Sequence, residues 1–153
     1  MGWMRDHRML VVASVAYAVG LGVLVAGPWG EDLNDLTVRC YTFFRYDWPI
    51  APGWALPHHY GVLLNMVLFV PVGALLVTLL RWKWWAAVLV AGLCSAAIEV
   101  VQAQWLLERI GSVDDVVANT VGAALGAFGA LALTLRRRHR SRRAGRPGWP
   151  RPR

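Results

Sequence analysis

Four apolar stretches, Met9 to Gly27, Gly61 to Leu80, Ala86 to Ala103 and Val116 to Leu135, each approach the roughly 20 residues an α-helix needs to cross the hydrocarbon core of a bilayer. Nothing else in the chain narrows its architecture as far. None of the stretches alternates with period two, and an open sheet leaves its edges unpaired in lipid, so helices are the expected spanning elements. Composition agrees: of 153 residues 57% are hydrophobic and only 16% charged, where a soluble domain carries about 25% charged residues. The expected fold is all-α: a polytopic membrane protein with a four-transmembrane-helix bundle.

The first stretch follows a short charged segment, Arg5 to Arg8, within an N-terminal segment of residues 1–8, as a secretory signal would. Its apolar run is longer than a signal core, and Pro28 directly after Ala26-Gly27 is a poor cleavage context, so it reads as a retained anchor. The turn Arg81-Trp82-Lys83 and the tail from Arg136 to Arg153 carry the basic residues, and the positive-inside rule places both on the cytoplasmic side. Their parity agrees and gives an N-in/C-in, multi-pass arrangement in the cell membrane. On that topology the formal charge is +12 inside, −4 outside and −1 at Glu99, together the +7 of the chain. Basicity is therefore a topology signal, and no nucleic acid is expected as a partner; the tail's one aromatic is Trp149. The tail, residues 136–153, reads as a disordered cytoplasmic segment that binds anionic inner-leaflet lipids at about 1 kcal/mol per residue near the surface. Trp82, Trp84 and Trp85 then fall at the inner interface and Trp29, Trp54 and Trp105 near the outer one, where amphipathic rings anchor a bundle.

The outer segment, Pro28 to Tyr60, holds Leu33, Leu36, Cys40, Phe43 and Phe44 at helical spacing, which predicts an amphipathic helix over 33–44. It either caps the bundle or is a lipid-facing connector. Pro49, Pro52, Gly53 and Pro57 force an irregular chain beyond it.

Polar residues inside the apolar runs converge on the outer end. A carboxylate within a membrane helix costs about 2.5 to 3.5 kcal/mol at the centre and less toward an end, so Glu99 demands compensation. Ser95, Glu99 and Gln102 share one helical edge, Asp115, Asn119, Gly122 and Gly126 another, and Asn65 lies near the outer end of its helix. The loop adds Glu108, Arg109 and Asp114. Each has a plainer reading: Ser112 to Asp115 as a capping box, Asn65 and Asn119 as interhelical glue, Gly122 and Gly126 as a close-packing face, and Glu99 as the salt-bridge partner of Arg109. His58-His59 lacks metal-ligand spacing, Cys40 and Cys94 are too far apart in depth to bridge, and no nucleophile elbow, Walker loop or dinucleotide fingerprint occurs, so neither metal nor cofactor is expected. Pro71 should free the carbonyl of Val67 and bend its helix. A Gly-Ala-Leu-x-x-Thr-Leu ending shared by 73–79 and 129–135 hints at duplicated hairpins.

The runs Asn65-x-x-x-Phe69-x-Pro71-x-Gly73, Ser95-x-x-x-Glu99-x-x-Gln102, Arg109, and Asp114-Asp115-Val-x-x-Asn119-Thr-x-Gly122-Ala-x-Leu-Gly126 resemble the VanZ-like family of bacterial membrane proteins. The resemblance covers 61–135, within a membrane domain of 9–135. It implies an integral membrane protein associated with resistance to the glycopeptide teicoplanin, but no established reaction. Asn65, Glu99, Gln102, Arg109, Asp115 and Asn119 are the motif positions it implies. The functional expectation is an outer-leaflet polar pocket that binds or modifies a lipid-linked or peptidoglycan-related envelope component. The alternative is an interaction subunit or small transporter component whose polar cluster is structural.

Overall fold

The computed structural model describes residues 2–27, 29–105 and 112–144. Among these there is no strand. The chain forms α1 (Gly2–Ala26), α2 (Gly30–Thr42, continued by a π-helical turn Phe43–Asp47), α3 (Pro57–Thr78), α4 (Trp84–Trp105) and α5 (Val113–Ala144). Within the described residues α3, α4 and α5 are long and apolar enough to cross a membrane, while the apolar part of α1, Val11–Leu24, is shorter.

The bundle is built on α3 and α5, which run parallel and pack most extensively. Glycine makes this approach possible. A Cβ added to Gly122 would overlap the carbonyl oxygen of Met66, one added to Gly126 that of Val70, and one added to Gly73 that of Ala123. The Gly122-to-Gly126 stripe is thus a close-packing face, on which backbones touch because no side chain intervenes. α4 returns antiparallel along α5, with Ser95 opposite Asn119, Gly92 against Thr120 and the Trp84 ring 4.9 Å from that of Phe128. Its buried stripe is Ala87, Ala91 and Ser95, and that of α5 includes Ala118, Ala123 and Ala127. Large apolar side chains such as Leu89, Leu93 and Leu125 face outward instead. A soluble bundle does the reverse; small residues inside and leucine outside suit a lipid solvent.

Element ends follow local chemistry. Pro57 opens α3 at its first position, where its missing N–H costs nothing, and the imidazole Nδ1 of His59 accepts the Leu56 N–H at 3.0 Å. α3 then runs through Pro71 as one helix. It closes at Arg81, whose φ of 56° is left-handed, letting the Trp82 N–H reach back to the Leu76 carbonyl at 3.2 Å. The tail differs from its expectation: α5 does not stop at Arg136 but continues to Ala144. The onset of arginines ends an apolar span, not a helix, because Arg is a good helix former. Residues 145–153 lie outside the described residues. The hairpin duplication also finds no counterpart in packing, since Gly73 is buried on Ala123 whereas a Cβ on Gly129 would meet open space.

The α3–α4 turn and Arg136 lie at one end of the bundle. The opposite end is covered by α2, which packs on α3. Leu33, Thr37, Cys40 and Phe44 are its half-buried face, while Leu36 and Phe43, expected on the same side, are exposed. Aromatic contacts tie the segment down: Phe44 stacks on Tyr60 of α3 at 6.0 Å, and Tyr41 meets the same ring edge-on at 5.9 Å.

Candidate functional site

Under α2, at the end where α3 and α5 begin and α4 finishes, lies a cavity of about 480 Å³. That volume is in the range of small-ligand sites, which are usually apolar; this one is lined mainly by polar side chains. Asn65 enters from α3, Glu99 and Gln102 from α4, and Asp115 from α5. Four of the six motif positions therefore share one chamber. Asn119 does not line it. It is buried one helical turn further along α5 and donates from Nδ2 to Ser95 Oγ at 2.8 Å. Arg109 and Glu108 lie outside the described residues, as does any pairing of Arg109 with Glu99.

The Glu99 carboxylate has a definite task. Its Oε2 accepts the backbone N–H of Ser112 at 2.8 Å, so it holds the chain that enters α5. Ser112 Oγ in turn accepts the Asp115 N–H at 3.4 Å, the helix-capping half of the expected capping box. Asp114 and Asp115 sit in the first turn of α5, where the helix dipole favours negative charge. The same residues line the cavity, so capping and cavity-lining are two consequences of one geometry. Gln102 is buried among them, 6% exposed.

Asn119 leaves a loose end. Its Oδ1 is buried with no hydrogen-bond partner among the described residues. Reversing the amide would give the Ser95 hydroxyl an acceptor and orphan the nitrogen instead, so one amide atom stays unpaired in either assignment. Such a group is costly in an apolar interior and marks a place that a water or a polar ligand atom would satisfy.

Several lining residues escape a reading by sequence. Gly30, Asn34 and Thr37 come from α2, and His58 from the start of α3. Asn34 and Thr37 are three apart, a helical spacing, but a polar residue in a polar segment is no anomaly until the segment is seen to fold over the bundle. The two histidines also part company. Their rings lie 4.0 Å apart, centroid to centroid, yet His59 is committed to the α3 start and His58 faces the cavity. Among the described residues no group of three His, Cys, Asp or Glu side chains is placed to hold a metal ion.

Among the described lining residues the charged side chains are three carboxylates, Glu99, Asp114 and Asp115, with no Lys or Arg beside them. Carboxylates accept hydrogen bonds and attract cations; Asn34, Asn65, Gln102 and Thr37 can both give and accept. The chamber is suited to a group rich in hydroxyl or amine donors.

Comparison with curated proteins and comparison with solved structures each returned no match. A family model described as VanZ/LLP1 matches residues 14–135, a span that runs from α1 into α5 and includes every residue placed in the cavity. The helices that carry these residues, apolar outside and small inside, and the family match over most of the chain lead to one conclusion: this is a membrane protein that belongs to the VanZ/LLP1 family.

Proposed function

We propose that the α2-covered chamber is a binding site at the outer face of the cytoplasmic membrane for the polar group of a cell-envelope component, lipid-linked or peptidoglycan-related. Its occupancy would alter susceptibility to the glycopeptide teicoplanin. The observation that carries this is the shared chamber: Asn65, Glu99, Gln102 and Asp115, from three helices, line one cavity of ligand size beneath α2. The arrangement proposed is N-in/C-in, because both basic segments lie at the end away from the cavity, where the positive-inside rule puts the cytoplasm. Anionic inner-leaflet lipid then meets the basic tail, residues 136–153.

In this reading Glu99 is the acceptor or cation partner, Asn65 and Gln102 orient the ligand by hydrogen bonds, and Arg109 contacts an anionic part of it. Asn119 supports the floor through Ser95. The test is Glu99→Gln at matched membrane abundance in a strain whose teicoplanin susceptibility depends on the protein. Loss of the phenotype with an intact fold is the expected result; unchanged susceptibility would sink the site.

A second reading, that of an interaction subunit or small transporter component with a structural polar cluster, draws on the hydrogen bonds themselves. Glu99 to Ser112 and Asn119 to Ser95 each join two parts of the bundle. If Glu99→Gln and Asp115→Asn lower the amount of folded, extractable protein in step with the phenotype, that reading replaces the first.

A further inference from the structure

We propose that the chamber is the head end of a longer track that takes one amphiphile, with a donor-rich head, sugar hydroxyls or an amine, under α2 and a single long hydrocarbon chain between α1 and α3. This rests on the reading of the chamber as a headgroup site and adds the tail and the lipid class.

An apolar crevice of about 670 Å³ separates α1 from α3, walled by Val11, Val15 and Ala18 on one side and Val72, Leu76 and Leu79 on the other, with Ile98 of α4 at its back. α1 meets the bundle sparsely; its Tyr17 hydroxyl donates to the Leu68 carbonyl, a tether that holds the helix near α3 without closing the gap.

Chamber and crevice lie on the same helix faces. On α3, Asn65 of the chamber and Val72, Leu76 and Leu79 of the crevice are spaced i, i+7, i+11 and i+14, a single stripe. On α4, Gln102 of the chamber and Ile98 of the crevice are four apart, again one face. A molecule whose head is among the carboxylates therefore has its tail directed along the face of α3 past Leu68, where the Tyr17 hydroxyl crosses from α1, toward the apolar crevice.

Length selects the tail. Asn65 to Leu79 spans about 21 Å of helix at 1.5 Å per residue, more than half of the ~30 Å hydrocarbon core. An ordinary acyl chain of one leaflet ends near the midplane, so the far part of the crevice is matched by a chain that crosses it, as a polyisoprenyl chain does. Donor chemistry selects the part of the head that enters: Glu99, Asp114 and Asp115 accept hydrogen bonds from sugar hydroxyls or an ammonium.

The full chain in phosphatidylethanolamine/phosphatidylglycerol nanodiscs provides the test, with two glucosides as probes, one on a polyisoprenyl chain carrying a terminal diazirine and one on an octyl chain. Irradiation should place the long probe's terminus on the α1 and α3 walls near Val11, Leu76 and Leu79. Both glucosides should protect Glu99 from carbodiimide, the octyl compound at least about tenfold more weakly, as expected for a loss of two or more buried methylenes. Gly22→Leu, where an added Cβ meets open space, and Leu76→Trp should each cut wall labelling about tenfold. Leu93→Trp, on an exposed face of α4, should not. If a diacyl phospholipid with the same diazirine labels the walls equally well while octyl glucoside still protects Glu99, the track is overturned and the headgroup site stands. If neither glucoside protects Glu99, both fall.

Discussion

The Glu99 carboxylate is bound to the backbone that starts α5, and this accounts for its tolerance inside an apolar helix. A hydrogen bond from Ser112 N–H at 2.8 Å is charge-assisted, of a class worth about 1.5 to 3 kcal/mol when broken. Glu99→Gln keeps an acceptor at the same reach and should lose less than half of that; Glu99→Leu should lose all of it. Thermal unfolding of the purified chain in detergent gives the ranking, and equal losses for both would detach the carboxylate from the cap. Ser95→Ala removes the partner of Asn119 and should cost about 0.6 to 1.7 kcal/mol, the range for hydrogen bonds between membrane helices. Combined with Asn119→Ala the cost should be less than additive, since both changes delete one bond; an additive double-mutant cycle would deny the coupling. At this scale the sequence reveals what is anomalous. Asn65, Glu99 and Gln102 stand out because they interrupt apolar runs, and Asp115 because it begins one. Asn34, Thr37 and His58 sit in polar surroundings, so their share in the chamber becomes visible only when α2 is laid across α3.

Between helices, the decisive contact is α3 against α5, and at Gly73, Gly122 and Gly126 it brings backbone against backbone. Gly122→Leu would drive a side chain into the Met66 carbonyl and should separate the two helices, with loss of most folded protein on extraction from membranes. Gly129→Leu, one turn past Gly126 but facing open space, should leave the yield unchanged. Equal behaviour of the two in a size-exclusion assay of extracted protein would contradict the packing described. The spans of α3, α4 and α5 were legible from hydropathy because lipid imposes both length and apolarity. Their partners were not, since a surface that faces lipid and one that faces a neighbour are both apolar. Only the small residues hinted at the neighbour, and of two similar Gly-Ala-Leu endings one is buried and one is bare. The first arginines of the tail belong to α5 for a related reason: charge reports where the membrane stops, whereas helix propensity lets the helix run on through Arg136.

For the whole molecule, the two ends differ in kind. One is basic, with the Arg81-to-Lys83 turn and the arginines of α5; the other holds the carboxylates beneath α2. In a background with Cys40 and Cys94 replaced by Ala, Trp54→Cys should react with a membrane-impermeant maleimide on intact cells and Trp82→Cys only after lysis; both positions are exposed. The opposite pattern would reverse the proposed orientation and move the chamber to the cytoplasmic face. The order of the helices along the chain carries a consequence for biosynthesis. α3 finds its principal partner not in α4, which follows it, but in α5, and the 48 residues from Thr78 to Gly126 take roughly 2 to 10 s to translate at ~5–20 residues per second. Throughout that interval the face of α3 that carries Gly73 and the Met66 and Val70 carbonyls has no mate, and the chamber has neither the floor nor the rim that Ser112 to Asn119 supply. A nascent chain halted before α5 therefore presents the membrane with an unfinished seam that any small-faced helix can enter, and it acquires a site only with the last span.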